Sequence, residues 1–204
     1  MTNPADSQPE RYRALDSAAK YEEKIKKASG VRRLSHWLEL RSLKNALATV
    51  SGRQVLDAPC GTGRIDGLLR ERFSDITGLD SSEAMLTVYR EGAPGRKGQQ
   101  GDIFNLPFAD GSFDWAVSHR LFHHFETDDS RVRMLTSLAR VAREGVVFYA
   151  WVKTPFSRRD KSRRQTLTLD HVKALVAQAG LRIESLHYAS WPFQPKVILV
   201  CRKA

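Results

Sequence analysis

The chain has 204 residues, 41% of them hydrophobic, which is enough for one domain with a substantial core. No run of 18 apolar residues occurs, so the sequence predicts no membrane-spanning helix. The net charge is +10, and residues 11–33 and 153–164 each carry +5 of it. Patches of this kind suit an anionic substrate, an acidic lipid surface, a protein or a nucleic acid, or serve only as solubilising faces. The two cysteines, Cys60 and Cys201, have no metal-binding or redox spacing, which points to a reduced, cytoplasmic setting.

Residues 1–10 are polar, contain Pro4 and Pro9, and are expected to form a disordered tail. Residues 11–50 predict one or two helices broken at Gly30, with Trp37, Leu38, Leu40, Leu43, Ala46 and Leu47 at helical spacing. Strands are expected near 54–57, 76–80, 97–102, 113–118, 146–151, 181–189 and 196–202, and helices near 64–72, 82–90, 129–143 and 169–179. Ser81 or Ser82 and Thr168 are candidate helix N-caps, and Gly180 closes the last helix. Alternating strands and helices predict an α/β fold with a doubly wound, seven-stranded, mostly parallel sheet. In such a sheet ligands bind outside the carboxyl ends of the strands at the switch point, where Asp57, Asp80, Asp102 and Ser118 should converge.

The segment from Val55 to Arg64 reads VLDAPCGTGR: an apolar strand, an acid, a tight glycine loop and a helix start. Gly61 and Gly63 allow a sharp turn and a close approach of ligand to main chain, and the helix expected from Arg64 would point its free amides at that ligand. The loop is not the dinucleotide pattern G-x-G-x-x-G, because Pro59 stands where the first glycine belongs. It is not a P-loop either, because no lysine follows Gly63. Asp80 ends the next strand, 23 residues after Asp57, where a carboxylate accepts from a ribose diol.

The motif DAPCGTG resembles motif I of the class I S-adenosylmethionine (SAM) methyltransferases, with Pro59 in place of the usual glycine. DSSEAML from Asp80 and GDIFNLPF from Gly101 are similar to segments that follow the second and third strands in that family, so the resemblance covers residues 53–150. It implies a Rossmann-like methyltransferase fold and SAM as cofactor, with S-adenosylhomocysteine (SAH) as product. It assigns Asp57, Ala58, Gly61 and Gly63 to the methionine part, and Asp80 to the ribose. Ser81 and Met85 would be among the cofactor-binding residues, Asp102 would accept from the adenine amino group, Ile103 would pack on the ring, and Ser118 would end strand four at the cofactor site. The implied organisation is a single domain, 11–204, with a helical lid (11–50), a SAM-binding core (53–151), a basic insertion (152–168) and a C-terminal helix and hairpin (169–204). Tyr12, Tyr21 and Arg41 are lid residues that could touch the cofactor.

His119, His123 and His124 follow the fourth strand, where the family places catalytic groups. A histidine there could remove a proton from an acceptor hydroxyl, or pack without a chemical role. No third or fourth ligand accompanies them, so no metal is expected. The [DNS]-P-P-[YFW] motif of nucleic-acid N-methyltransferases is absent. The segment 146–164 is loosely similar to methyltransferases associated with bacterial lipopolysaccharide assembly, implying a small-molecule, anionic saccharide or lipid-linked acceptor and a place at the inner membrane face. Two alternatives stay open: an RNA methyltransferase, and a SAM- or SAH-binding regulator without turnover.

Overall fold

A computed structural model describes residues 30–153, 166–189 and 196–204, without the side chains of residues 31 and 32. The expected tail 1–10, Tyr12, Tyr21, most of both basic patches and the turn 190–195 lie outside the described residues. Five helices are described: α1 (Gly30–Leu47), α2 (Asp66–Arg70), α3 (Glu83–Glu91), α4 (Asp128–Val141) and α5 (Leu169–Gln178). They surround strands β1 (Gln54–Asp57), β2 (Asp75–Asp80), β3 (Lys97–Gln100), β4 (Phe113–Ser118), β5 (Ala142–Trp151), β6 (Leu181–Tyr188) and β7 (Lys196–Lys203).

The strands form one seven-stranded sheet in the order β3-β2-β1-β4-β5-β7-β6. The first five are parallel, and β7 runs antiparallel to both β5 and β6. The order reverses between β1 and β4, which makes their carboxyl ends the switch point. Alternating residues feed two cores. Leu56, Ala116, Phe148 and Leu199 pack with Met134 and Leu138 of α4 and Val172 and Val176 of α5. Val55, Trp115, Val147, Ile198 and Val200 pack with Leu43, Ala46 and Leu47 of α1 and Leu69 of α2. A sheet covered on both faces needs apolar residues at both parities, which is why its central strands read as continuous apolar runs.

At three of the boundaries that differ from the sequence reading, the reason is local. β5 starts at Ala142 rather than 146, directly from α4, because the β4–β5 register shifts between Phe113 and Trp115 and leaves Arg143 and Glu144 exposed. α2 is five residues long and starts at Asp66, not Arg64, because Gly63 N–H donates to Cys60 O (3.0 Å) and Asp66 N–H to Gly63 O (3.2 Å), tying residues 60–66 into turns. β3 stops at Gln100, and Gly101 N–H makes a last bond to Asp80 O (3.1 Å). The expected apolar stripe of α1 holds only at its C-terminal end. Trp37 is 53% exposed, whereas Glu39 and Ser42 take buried positions.

Candidate active site

The glycine loop is stitched to the strands on both sides of β1. Ala58 N–H donates to Val117 O of β4 and Cys60 N–H to Leu79 O of β2, each at 2.9 Å. The Ala58–Pro59 peptide is cis. Gly61 has φ +53° and Gly63 φ +89°, backbone that side chains other than glycine's rarely adopt. At Gly61 a Cβ would meet nothing within 4 Å, so the main chain there faces open space. At Gly63 it would press on Arg96 and Tyr89, so this glycine also serves packing.

Two carboxylates define the cradle. Asp57 ends β1 and is 1% exposed, yet neither of its oxygens finds a hydrogen-bond partner among the described residues. Burial pushes its carboxyl well above the usual carboxylate range, and the charges of Asp66 and Asp80 add to the shift. Asp80 ends β2. Its Oδ2 accepts from Gly61 N–H and its Oδ1 from Ser82 N–H, both at 2.9 Å. Burial raises its carboxyl, and these backbone N–H groups oppose the rise. Asp80 thus fixes the loop and the start of α3, and each oxygen keeps a lone pair.

Behind the loop sits a pairing that the sequence did not signal. Asp66, 2% exposed, accepts from Arg70 Nε (2.7 Å), Arg96 Nε (3.1 Å) and Tyr89 Oη (3.3 Å). It joins α2, α3 and the turn before β3 under the cradle.

Across the switch point, Ser118 is buried at the end of β4, and its Oγ has no partner among the described residues. His119 and Arg120 follow, with Arg120 at φ +64°. Both face Glu39 of α1, which is fully buried. Arg120 donates through Nε to Oε1 (2.5 Å) and through Nη2 to Oε2 (2.8 Å). His119 Nε2 lies 3.2 Å from Oε1, off the line of a directed hydrogen bond. Burial alone would raise the Glu39 carboxyl, but His119 and Arg120 outweigh it and hold the group far below the usual range. Burial lowers His119, against the pull of Glu39. Arg64, just past Gly63, donates through Nη2 to His36 Nδ1 of α1 at 2.6 Å. Burial, with the Arg64 charge next, lowers His36 to about 4, so its ring is a neutral acceptor.

The remaining expected residues divide. Ser82, not Ser81, caps α3 by accepting from Met85 N–H (3.3 Å); Ser81 is exposed and Met85 is buried. Asp102 is exposed beyond β3, with Oδ1 accepting from Phe104 N–H (3.0 Å), and Ile103 is buried beside it. His119 and His123 do not share an α-helix, since a single 3₁₀ turn, Phe122–His124, occupies this stretch. They meet instead on Tyr149, at ring distances of 5.1 and 5.6 Å, while His123 stacks on Trp151 (5.3 Å) and lies 4.3 Å from His124. Arg41 lies at the end of β6 rather than in contact with Asp57, Asp80 or Ser118. It is exposed, stacks on Trp37 at 5.3 Å, and lines a groove with His187 and Tyr188 of β6. Among the described residues no cluster of three or more metal-ligating side chains occurs, and no helix is long and apolar enough to cross a membrane.

A parallel sheet reversing between β1 and β4, an antiparallel β7, and a glycine loop flanked by strand-end acids define the Rossmann-like methyltransferase fold. Residues 56–150 match the methyltransferase domain family. A proposed methyltransferase of Encephalitozoon cuniculi is 34% identical over 146 residues, 70% of this chain and 65% of that protein. The malonyl-acyl-carrier-protein O-methyltransferase of Pectobacterium atrosepticum is 40% identical over 97 residues, 48% of this chain and 37% of that protein. A tRNA (carboxymethyluridine(34)-5-O)-methyltransferase of Mus musculus is 31% identical over 135 residues, 64% of this chain but only 19% of that protein. The chain therefore spans less than two thirds of the length of these relatives. The crystal structure of magnesium protoporphyrin IX methyltransferase from Synechocystis PCC 6803, with bound SAH, has the same fold at a TM-score of 0.75 and 17% identity, over 93% of this chain and 96% of that one.

SAM is the cofactor of such a domain, and the residues present fit it. The two partnerless oxygens of Asp57 suit an ammonium donor, the open face of Gly61 admits a ligand to the main chain, and Asp80 retains lone pairs for hydroxyl donors.

Proposed function

We propose that the chain is a SAM-dependent methyltransferase whose acceptor is a small molecule bearing a carboxylate, with a carboxylate oxygen taking the methyl group. The observation that carries the cofactor half is the buried, partnerless carboxyl of Asp57 beside the glycine loop. Bound SAM supplies an electrophilic methyl group on a sulfonium. Asp57 would hold the cofactor's ammonium, Asp80 its ribose hydroxyls, and Asp102 with Ile103 its adenine. The protein's task is to orient the two reactants and exclude water.

The acceptor half rests on two supports. The malonyl group and carboxymethyluridine, named in two of the relatives, each carry a carboxylate. A carboxylate also arrives deprotonated, so the transfer needs no general base. This fits the histidines after β4. His119 is turned to Glu39 and His123 is stacked between aromatic rings, so neither has the setting of a poised base. An acidic saccharide or lipid-linked acceptor has the same reacting group where its charge is a carboxylate.

The test is incubation with methyl-labelled SAM and a panel of carboxylic acids, thioester half-acids and uronates, followed by mild alkali. A methyl ester releases its label as volatile methanol, whereas an N-methyl or ether product does not. Label that survives alkali would contradict the carboxylate assignment. The tRNA relatives and the net charge of +10 favour a second reading, a carboxylate on an RNA base, and label transferred to unfractionated tRNA would select it. SAH binding without turnover on any acceptor would favour a regulatory role.

A further inference from the structure

Helix α1 meets the sheet in two chemically different halves. Its C-terminal half is apolar, with Leu43, Ala46 and Leu47 buried against Val55, Tyr149, Ile198 and Val200. Its N-terminal half is polar and faces the carboxyl edge. Ser35 Oγ accepts from Lys196 Nζ (2.8 Å), His36 from Arg64, and Glu39 from Arg120, with Lys196 Nζ a further 3.4 Å from Glu39 Oε2. The partners come from three elements that reach this edge: the loop after β1, the segment after β4, and the first residue of β7.

Glu39 is the centre of this set. A carboxylate with no exposed surface persists only when its charge and lone pairs are matched, and here the Arg120 fork and Lys196 Nζ match them, with His119 Nε2 3.2 Å away. One of them, Arg120, holds left-handed backbone at φ +64°, a conformation that a long side chain keeps only when its surroundings over-determine it. The fork on Glu39 supplies that determination, next to Ser118, whose buried Oγ ends the strand bordering the cradle.

We propose that Glu39 is a positioning residue. Through Arg120 and His119 it fixes the Ser118–Arg120 segment as the far wall of the cofactor crevice, and it docks the N-terminal half of α1 across the mouth. Cofactor affinity then depends on a side chain that need not touch the cofactor. The inference rests on the SAM site proposed above.

The test is calorimetric titration of SAH into the wild type, Glu39→Gln, Arg120→Gly and Lys44→Met. Melting temperatures and amide hydrogen exchange over residues 35–47 accompany it. Glycine accepts φ +64° without strain, so Arg120→Gly removes the side chain and its guanidinium without forcing the backbone out of this conformation. Lys44 lies on the same helix but pairs with Glu71 at the surface, so its variant controls for helix effects. The expected result is at least tenfold weaker SAH binding in Glu39→Gln and in Arg120→Gly, at temperatures where both are folded, and unchanged binding in Lys44→Met. SAH should slow exchange at residues 35–41 in the wild type and not in those two variants. If Glu39→Gln does not fold, Arg120→Gly decides alone. Lowered melting temperatures with wild-type SAH affinity would make the network merely structural and overturn the inference. Absence of SAH binding by the wild type would instead overturn the cofactor reading itself.

Discussion

At the residue scale, Asp57 carries the account. It sits at the switch point, buried, without a hydrogen-bond partner among the described residues and near two other acids, so the folded protein holds its proton to higher pH than the unfolded chain, where it leaves at ~4. The sign follows. The stability linked to this group is fully present below that pH and falls as pH rises through the folded-state value. Asp57→Asn removes the loss, and the variant should melt no lower than the wild type at pH 8 and bind SAH at least tenfold more weakly. A large fall in melting temperature at pH 8 would show that the carboxylate is structurally satisfied after all. Asp80 plays the opposite part, since its acceptors already hold two N–H groups. Asp80→Ala should weaken SAH binding by about 1–3 kcal/mol and also destabilise the loop, because it strands those donors. Unchanged affinity would remove Asp80 from the site. Both acids were legible in the sequence because each ends an apolar strand. Glu39 and Arg120 were not legible, since a charge inside an amphipathic helix and an arginine after a strand read as surface residues. Only their meeting in space, 81 positions apart, shows otherwise.

At the scale of elements, the cradle is held from behind. Asp66 opens α2 and ties it to Arg70, to Arg96 before β3 and to Tyr89 of α3. With its side chain 3% exposed and that of Arg96 11% exposed, this is a buried pairing rather than a surface one. Asp66→Ala leaves Arg96 without its carboxylate and should cost about 3 kcal/mol. The check is a lower midpoint in urea with an unchanged slope; an unchanged midpoint would show that Arg96 finds water or another acceptor. The order of elements was legible because strands with apolar residues at both parities and helices with period 3.6 differ clearly. Their ends were less so. α2 is shortened by turns that two glycines permit, and the second and third residues of β5 are an exposed arginine and glutamate at a register shift. Such ends are set by tertiary hydrogen bonds rather than local preference.

At the scale of the whole molecule, the sheet brings four distant strand ends to one edge, while α1 closes over that edge with charges rather than apolar surface. The sequence resemblance reached the cofactor because the residues proposed to hold it come from short motifs at strand ends. It did not reach the acceptor, because α1, the segment after β4, the tip of β5 and the start of β7, which lie at the same edge, share no motif. The account's central claim is that the β1–β4 switch point binds SAM through Asp57. The most direct measurement is a calorimetric titration of SAH into the wild type and Asp57→Asn at pH 7.5. One SAH per chain is expected for the wild type and at least a tenfold loss for the variant, about 1.4 kcal/mol or more. Equal affinity in the two proteins, or no binding by the wild type, would contradict it.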